Sequence, residues 1–208
     1  TGTEQTARAR GLIERSGVPC VHMMELGAGH DGYCVGFSQV EAAAALTRHL
    51  LERGRRRIAF AAAQLDPRTL QRLQGWRREL ARAGLHDPTL EWMNPAPSSM
   101  ALGALMFEQI MGQTPPVAAI FFCNDALAQG ALLKALRMQV AVPQRVAVVG
   151  FNDLTGSDQM VPPLTTVRTP RAEIGEAAAA MLLQLMRGEP VERPVVDLGY
   201  RVLVRASS

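Results

Sequence analysis

The feature that most constrains the fold of this chain is the alternation of short apolar runs with longer amphipathic segments. Arg57–Ala63, Val117–Phe122 and Arg145–Phe151 have the continuous apolar character of strands that are buried on both faces. Each of these runs is followed by a segment with helical periodicity. Parallel strands need such crossover connections, which are usually helices. The sequence therefore predicts an α/β fold with parallel sheets flanked by helices.

The same pattern extends over most of the chain. The helices are predicted from apolar periodicity and from residues that end a helix. In Val40–Arg53, for example, the leucines lie on one face and Gly54 follows as a stop signal. The predicted helices are Thr6–Ser16, Val40–Arg53, Thr69–Ala83, Ser99–Met111, Asp125–Met138 and Arg171–Arg187. The further predicted strands are Val18–Met23, Tyr33–Phe37, Leu164–Val167, Val195–Leu198 and Tyr200–Val204.

Composition narrows the class of protein. Of the 208 residues, 48% are hydrophobic and 20% are charged, which suits a packed core and argues against disorder. The net charge of +3 is too small to indicate nucleic-acid binding by composition alone. No run approaches the roughly 18 apolar residues that a membrane span needs. Three cysteines and no secretory pattern in residues 1–17 favour a cytoplasmic protein with reduced thiols and no membrane partner.

One glycine-rich segment formally matches a dinucleotide-binding motif. Gly27–Gly32 reads G-x-G-x-x-G after a predicted strand, but that site needs a helix to begin at the third glycine. Tyr33–Phe37 has an extended pattern instead, so we interpret the segment as a loop and keep a nucleotide-dependent enzyme only as a weaker alternative. Hydrolase and metal-ligand motifs are absent from the sequence. We predict no catalytic residue, no metal and no cofactor.

Polar pairs directly follow two predicted strands. Asn124 and Asp125 come after one, and Asn152 and Asp153 come after another. Ligands of open parallel sheets bind beyond the carboxyl ends of the strands, where amides and carboxylates can pair with hydroxyl groups. The same residues are also good helix caps and turn formers. We favour the structural interpretation for the two aspartates and leave both interpretations open for the two asparagines.

The second half of the chain resembles a known family of proteins. The stretch AIFFCNDALAQGALLKALRMQVAVPQRVAVVGFNDL, followed by VPPLTTVRTPRAEIGEAAAAMLLQLMRGE, is similar to the effector-binding core of lactose/galactose-repressor-type transcriptional regulators. VGFSQVEAAAALTRHLLERGRRRIAF and QRLQGW match earlier parts of the same core in collinear order. The segments VGFS, FFCNDALAQGAL and VRTPRAEIG most resemble gluconate-utilisation repressors.

The resemblance implies a two-lobed, periplasmic-binding-protein-like fold. It places residues 1–54 and 168–192 in the lobe nearer DNA, and residues 55–167 and 193–208 in the distal lobe. Three strands cross between the lobes in this family, and the ligand lies in the cleft. The family also implies a helix-turn-helix headpiece that reads operator DNA and lies outside this sequence.

The resemblance further implies a set of ligand-binding residues. The arginine of the R-L-x-G-W segment is Arg72, and it has the planar fork of donors that suits a carboxylate or vicinal hydroxyl groups. Where many relatives have aspartate, this chain has Asn152, which removes a negative charge and favours an anion. The implied ligand is a small acyclic sugar acid such as gluconate, or a phosphorylated or keto relative. The resemblance places Ser98 or Ser99 at the cleft, and we include Ser98. The complete set is Ser38, Glu41, Arg72, Ser98, Asn124 and Asn152.

A second function is compatible with the same fold. An exported solute-binding protein that delivers a sugar to a transporter has the same architecture. The odd number of cysteines and the absence of a signal pattern favour the intracellular regulator over it.

The family resemblance predicts that the protein forms a two-fold dimer, because a palindromic operator requires paired headpieces. Light scattering on the protein together with its upstream residues is expected to give twice the protomer mass at tens of micromolar. A strict monomer at that concentration would contradict the dimer.

Overall fold

The computed structural model describes residues 7–26 and 32–208, which form two compact units. Unit 1 contains the described residues before Gln39 together with Thr169–Tyr200, and unit 2 contains Gln39–Arg168 and Arg201–Ser208. The predicted lobe boundaries differ from this division for residues 39–54 and 168, which belong to unit 2, and for residues 193–200, which belong to unit 1. Which unit lies nearer DNA stays a prediction.

Unit 1 is built on a small parallel sheet with the strand order β1-β2-β8. Cys34 lies opposite His22 on one side and Val195 on the other, so β2 is the central strand. One helix, α6, packs against β1 and β2. The elements of unit 1 are α1 (Ala7–Ser16), β1 (Val21–Met23), β2 (Tyr33–Gly36), α6 (Arg171–Met186) and β8 (Val195–Asp197).

Unit 2 is built on a four-stranded parallel sheet with the strand order β4-β3-β5-β6. Its central strand β3 is buried along its whole length, as its uninterrupted apolar sequence predicts. Phe60 on this strand lies with its ring centroid 5.8 Å from that of Trp76 and 5.2 Å from that of Phe121. The strands are β3 (Ile58–Ala63), β4 (Glu91–Asn94), β5 (Ala119–Phe122) and β6 (Ala147–Val149).

Helices cover the unit 2 sheet in two packed pairs, α2 with α3 and α4 with α5. A separate antiparallel pair of strands, β7 and β9, completes the unit. No helix in the described ranges is long and apolar enough to cross a membrane. The remaining elements are α2 (Gln39–Glu52), α3 (Pro67–Arg82), α4 (Met100–Met111), α5 (Asp125–Arg137), β7 (Thr166–Arg168) and β9 (Arg201–Leu203).

The structure confirms the predicted α/β class and the predicted helices and strands in the described ranges, with shifts at their ends. β4 was not predicted, because Glu91–Asn94 is a half-buried edge strand without a continuous apolar run. β6 ends at Val149, two residues before the predicted end. Most of the Gly27–Gly32 segment lies outside the described residues. The residues after it form strand β2, as expected, and not the helix that a dinucleotide site needs.

The two helices α4 and α5 approach each other closely at two glycines. A methyl group added at Gly103 would overlap the backbone carbonyl of Leu127, and one added at Gly130 would overlap the carbonyl of Met100. The two clashes are reciprocal, because each helix presents backbone to the glycine of the other. Glycine at both positions therefore sets the distance between the helices.

This contact predicts that Gly103→Ala and Gly130→Ala each lower the free energy of unfolding by about 1–3 kcal/mol, the range for overpacking a tight contact. The control is Gly175→Ala in α6, where an added methyl group meets no atom within 4 Å. Alanine there is expected to raise stability by up to about 1 kcal/mol through helix propensity. Urea unfolding followed by circular dichroism measures all three, and equal stability of the three variants would contradict the close-contact argument.

Candidate functional site

The candidate site lies at the carboxyl edge of the unit 2 sheet. The segments that follow β3, β5 and β6 carry Arg72, Asn124 and Asn152 respectively. Because parallel strands end at the same edge, three segments that are distant in sequence converge there. The predicted residues Arg72, Asn124 and Asn152 therefore lie at one edge of the same sheet.

Arg72 is the centre of the arrangement, and only 6% of its surface is exposed. Its Nε donates to Oε1 of Gln39 at 2.8 Å, and its Nη1 donates to the carbonyl oxygen of Cys123 at 2.6 Å. Its Nη2 lies 3.5 Å from Oδ1 of Asn152, which is a long and weak hydrogen bond. These three acceptors are a side-chain amide, a backbone carbonyl and a second side-chain amide, all of them neutral.

The charge of Arg72 is buried without an ion pair. Its guanidinium carbon lies 4.0 Å from the centre of the buried Phe151 ring, in a cation–π contact. In residues 7–26 and 32–208, no carboxylate forms a salt bridge with it, although the negative charges of Asp66 and Asp125 act to raise its pKa. Burial lowers the pKa of Arg72 to about 10, so the side chain is still a cation at neutral pH. A buried cation held by neutral groups is a good receptor for an anion.

Asn124 is both a helix cap and part of the polar edge. Its Oδ1 accepts a hydrogen bond from the backbone N–H of Leu127 at 3.1 Å, which caps α5. Its Nδ2 donates to Oγ of Ser98 at 2.7 Å. The neighbouring Ser99 caps α4 by accepting from the N–H of Leu102, so Ser98 is the serine that reaches Asn124. The structure thus shows the capping role of Asn124, and its ligand-binding role stays a prediction.

Asn152 lies on a backbone with unusual geometry. Its φ is 108° and that of Asp153 is 52°, so two consecutive residues other than glycine have positive φ. The backbone N–H of Asn152 donates to the carbonyl of Val167 at 2.8 Å, which holds this conformation. Strained backbone of this kind persists only where the surrounding structure fixes it, and it is concentrated at binding sites.

The structure places Ser38 and Glu41 differently from the other predicted residues. Ser38 is half-buried and is the last residue of unit 1 before the chain enters unit 2. Glu41 binds Arg78 with two hydrogen bonds of 2.6 and 2.8 Å, and its side chain is 53% exposed. This contact with Arg78 lowers the pKa of Glu41. The residue of α2 that bonds Arg72 is Gln39, two positions before Glu41.

Sequence reasoning missed two residues whose side chains contact Arg72, besides the backbone carbonyl of Cys123. Gln39 is fully buried at the first position of α2, and its only sequence signal is a polar residue directly after a strand and a serine. Phe151 ends the apolar stretch VAVVGF and looks like a core residue in the sequence. Within the described ranges, no cluster of three His, Cys, Asp or Glu side chains is placed to hold a metal ion.

Comparison with known families gives an independent result. The profile of the periplasmic binding protein-like domain matches residues 47–208. The crystal structure of the transcription regulator GntR from Chromobacterium violaceum superimposes with a TM-score of 0.96 at 47% identity, covering 100% of this chain and 76% of that one.

Curated relatives are transcriptional regulators by name. The HTH-type transcriptional regulator GntR of Pseudomonas aeruginosa is 53% identical over 208 residues, covering 100% of this chain and 61% of its own length. The regulator of the same name from Escherichia coli K12 is 34% identical over 200 residues, covering 96% of this chain and 60% of its own length. The chain thus spans about three fifths of these relatives.

The double role of Asn124 predicts different effects for two substitutions. Asn124→Ala removes the cap and is expected to lower the free energy of unfolding by about 1–2 kcal/mol. Asn124→Asp keeps a capping oxygen and is expected to stay within about 0.5 kcal/mol of the parent. Urea unfolding followed by the fluorescence of Trp76 and Trp92, both in unit 2, measures this difference. An equal loss in both variants would assign the stability to the bond with Ser98 instead.

Proposed function

Because this chain is an effector-binding domain of lactose-repressor-type regulators, we propose that it senses a small sugar acid such as gluconate. Such domains belong to the periplasmic binding protein-like family. The identity to regulators named GntR and the resemblance of VGFS, FFCNDALAQGAL and VRTPRAEIG to gluconate-utilisation repressors support this ligand class.

The observation that carries the proposal is the buried guanidinium of Arg72. It is held in a fixed orientation by Gln39 and the Cys123 carbonyl, and it has more donors than these acceptors use. A ligand carboxylate beside it supplies a directly bound negative charge, which Asp66 and Asp125, acting only from a distance, do not. The planar fork of the guanidinium matches a carboxylate in a bidentate way, which a lysine cannot reproduce.

The amide and hydroxyl groups nearby suit the rest of such a ligand. Asn124, Ser98 and Asn152 are neutral, half-buried and able to donate and accept hydrogen bonds. A polyol chain presents hydroxyl groups that need both donors and acceptors. Serine at position 98 offers no ring for stacking on a pyranose, so an open-chain ligand fits better. Ser38 and Glu41 remain part of the predicted set on the family resemblance alone.

We further propose the regulatory setting of the domain. The effector changes the affinity of a DNA-reading headpiece outside this chain, which is a coupling between two sites of one protein. The functional unit is a cytoplasmic homodimer that binds operator DNA. The relatives' names support a regulator over an exported solute-binding protein.

The proposal predicts that Arg72→Lys weakens gluconate binding by about 1–3 kcal/mol, because the variant keeps the charge and loses the fork. Titration calorimetry with gluconate and with glucose measures the effect, and gluconate is expected to bind the parent more tightly than glucose. A circular dichroism spectrum of each variant confirms that the fold is intact.

A matched control for this experiment lies on the same helix. Arg82→Lys changes an arginine ten residues further along α3 that is 65% exposed and bonds Glu79. It is expected to leave gluconate binding unchanged. Unchanged binding in Arg72→Lys and Arg72→Ala with an intact fold would contradict the role of Arg72, and no gluconate binding by the parent would contradict the ligand.

A further inference from the structure

Asp125 is a fully buried carboxylate that no binding role has yet explained. Its Oδ1 accepts a hydrogen bond from the hydroxyl of Thr166 at 2.6 Å. Its Oδ2 accepts from the backbone N–H of Leu154 at 2.6 Å and from the hydroxyl of Ser157 at 3.1 Å. Burial raises the pKa of Asp125, and these three donors oppose that shift. A buried carboxylate with this many donors fixes the segments that supply them.

The segments that Asp125 fixes are the two sides of the loop that carries Phe151 and Asn152. The backbone N–H of Asp125 donates to the carbonyl of Phe151 at 3.1 Å, and its carboxylate binds the N–H of Leu154. Gly150 makes room for this arrangement, because a methyl group there would overlap Oδ1 of Asp125. Asp125 therefore forms hydrogen bonds with the loop immediately before and immediately after the residues with positive φ, Asn152 and Asp153.

The strained part is where the loop needs external support. The positive φ values of Asn152 and Asp153 have an energetic cost that contacts with the surrounding structure must offset. Further anchors act on Asp153, whose N–H lies 3.4 Å from Oγ1 of Thr166 and whose carboxylate binds Arg205 at 2.8 Å. Thr166 thus bonds both Asp125 and the loop, and it links the two.

We propose that Asp125 is a positioning residue of the effector site, which holds the loop Gly150–Leu154 so that Phe151 and Asn152 meet the guanidinium of Arg72. The step from loop to site rests on two observed contacts, the 4.0 Å cation–π contact with Phe151 and the 3.5 Å approach of Asn152 Oδ1. Its consequence for ligand binding rests on the proposed function. Its consequence for Arg72 does not, since that can be observed without a ligand.

The test loosens the grip without touching Arg72 or the asparagines. Thr166→Val removes the hydroxyl that bonds Asp125 and keeps the shape of the side chain. Asp125→Asn replaces one acceptor oxygen by an NH₂ group. That group faces either the N–H of Leu154 or the hydroxyl groups of Ser157 and Thr166, and it cannot accept their hydrogen bonds. The control is Ser207→Ala, which removes a buried hydroxyl that bonds the carbonyl of Val148 at 2.6 Å and the N–H of Thr165 at 2.8 Å. That hydroxyl borders the same strand and bonds neither Asp125 nor the loop.

Two readouts separate positioning from stability. In titration calorimetry, Thr166→Val is expected to weaken gluconate binding about five- to tenfold, the equivalent of one hydrogen bond, with Ser207→Ala within about twofold of the parent. In ligand-free proton–nitrogen correlation spectra, the Nε–H signal of Arg72, identified by its loss in Arg72→Lys, is expected to shift in Thr166→Val and Asp125→Asn and to stay in place in Ser207→Ala.

Each outcome decides the proposal. Equal effects of Thr166→Val and Ser207→Ala on gluconate affinity would overturn it, because a general loss of stability explains both. If the parent does not bind gluconate, the ligand assignment fails and the Arg72 signal decides alone: a shift supports the positioning role and an unchanged signal overturns it. If Asp125→Asn does not fold, the isosteric Thr166→Val carries the same test.

Discussion

The constraint on which the rest of this structure depends is the burial of one positive charge at the edge of a parallel sheet. Arg72 has a pKa lowered to about 10 by burial, and it is held by an amide, a backbone carbonyl and an aromatic ring. Keeping a cation there costs free energy that a core of apolar residues would not. The elements around it are arranged to orient the guanidinium without neutralising it, which is the arrangement expected of a receptor for an anion.

The position of the polar groups at this edge of the sheet depends on how closely α4 and α5 can pack. Gly103 and Gly130 let the backbones meet near the first turns of both helices. Those first turns are capped by Ser99 and Asn124, and Asn124 donates to Ser98. The hydrogen bond between two residues 26 positions apart therefore requires the helix contact that the glycines allow. Packing in the interior thus determines which polar groups stand together at the edge.

The sequence predicted the architecture well because burial on both faces leaves a clear signal. β3 reads IAFAAA and is buried throughout, whereas the edge strand β4 reads EWMN and was missed. The site was harder to predict because its contacts join residues far apart in the chain: Gln39 bonds Arg72 across 33 positions, and Phe151 resembles any core phenylalanine. The family pattern supplied Arg72, Asn124 and Asn152, but it gave no means of placing Gln39 beside Arg72.

The two Asn-Asp pairs, Asn124–Asp125 and Asn152–Asp153, have the same arrangement. In each pair the asparagine faces the candidate site, and the aspartate is committed to the scaffold, Asp125 to Thr166 and Asp153 to Arg205. Both negative charges are thereby fixed away from direct contact with Arg72. The negative charge of Asp125 still favours the protonated form of Arg72 from a distance. Replacing either asparagine by aspartate would add a carboxylate at the edge and compete with an acidic ligand for the guanidinium. Because the member of each pair at the candidate site is neutral, neither pair places a carboxylate in direct contact with the buried cation.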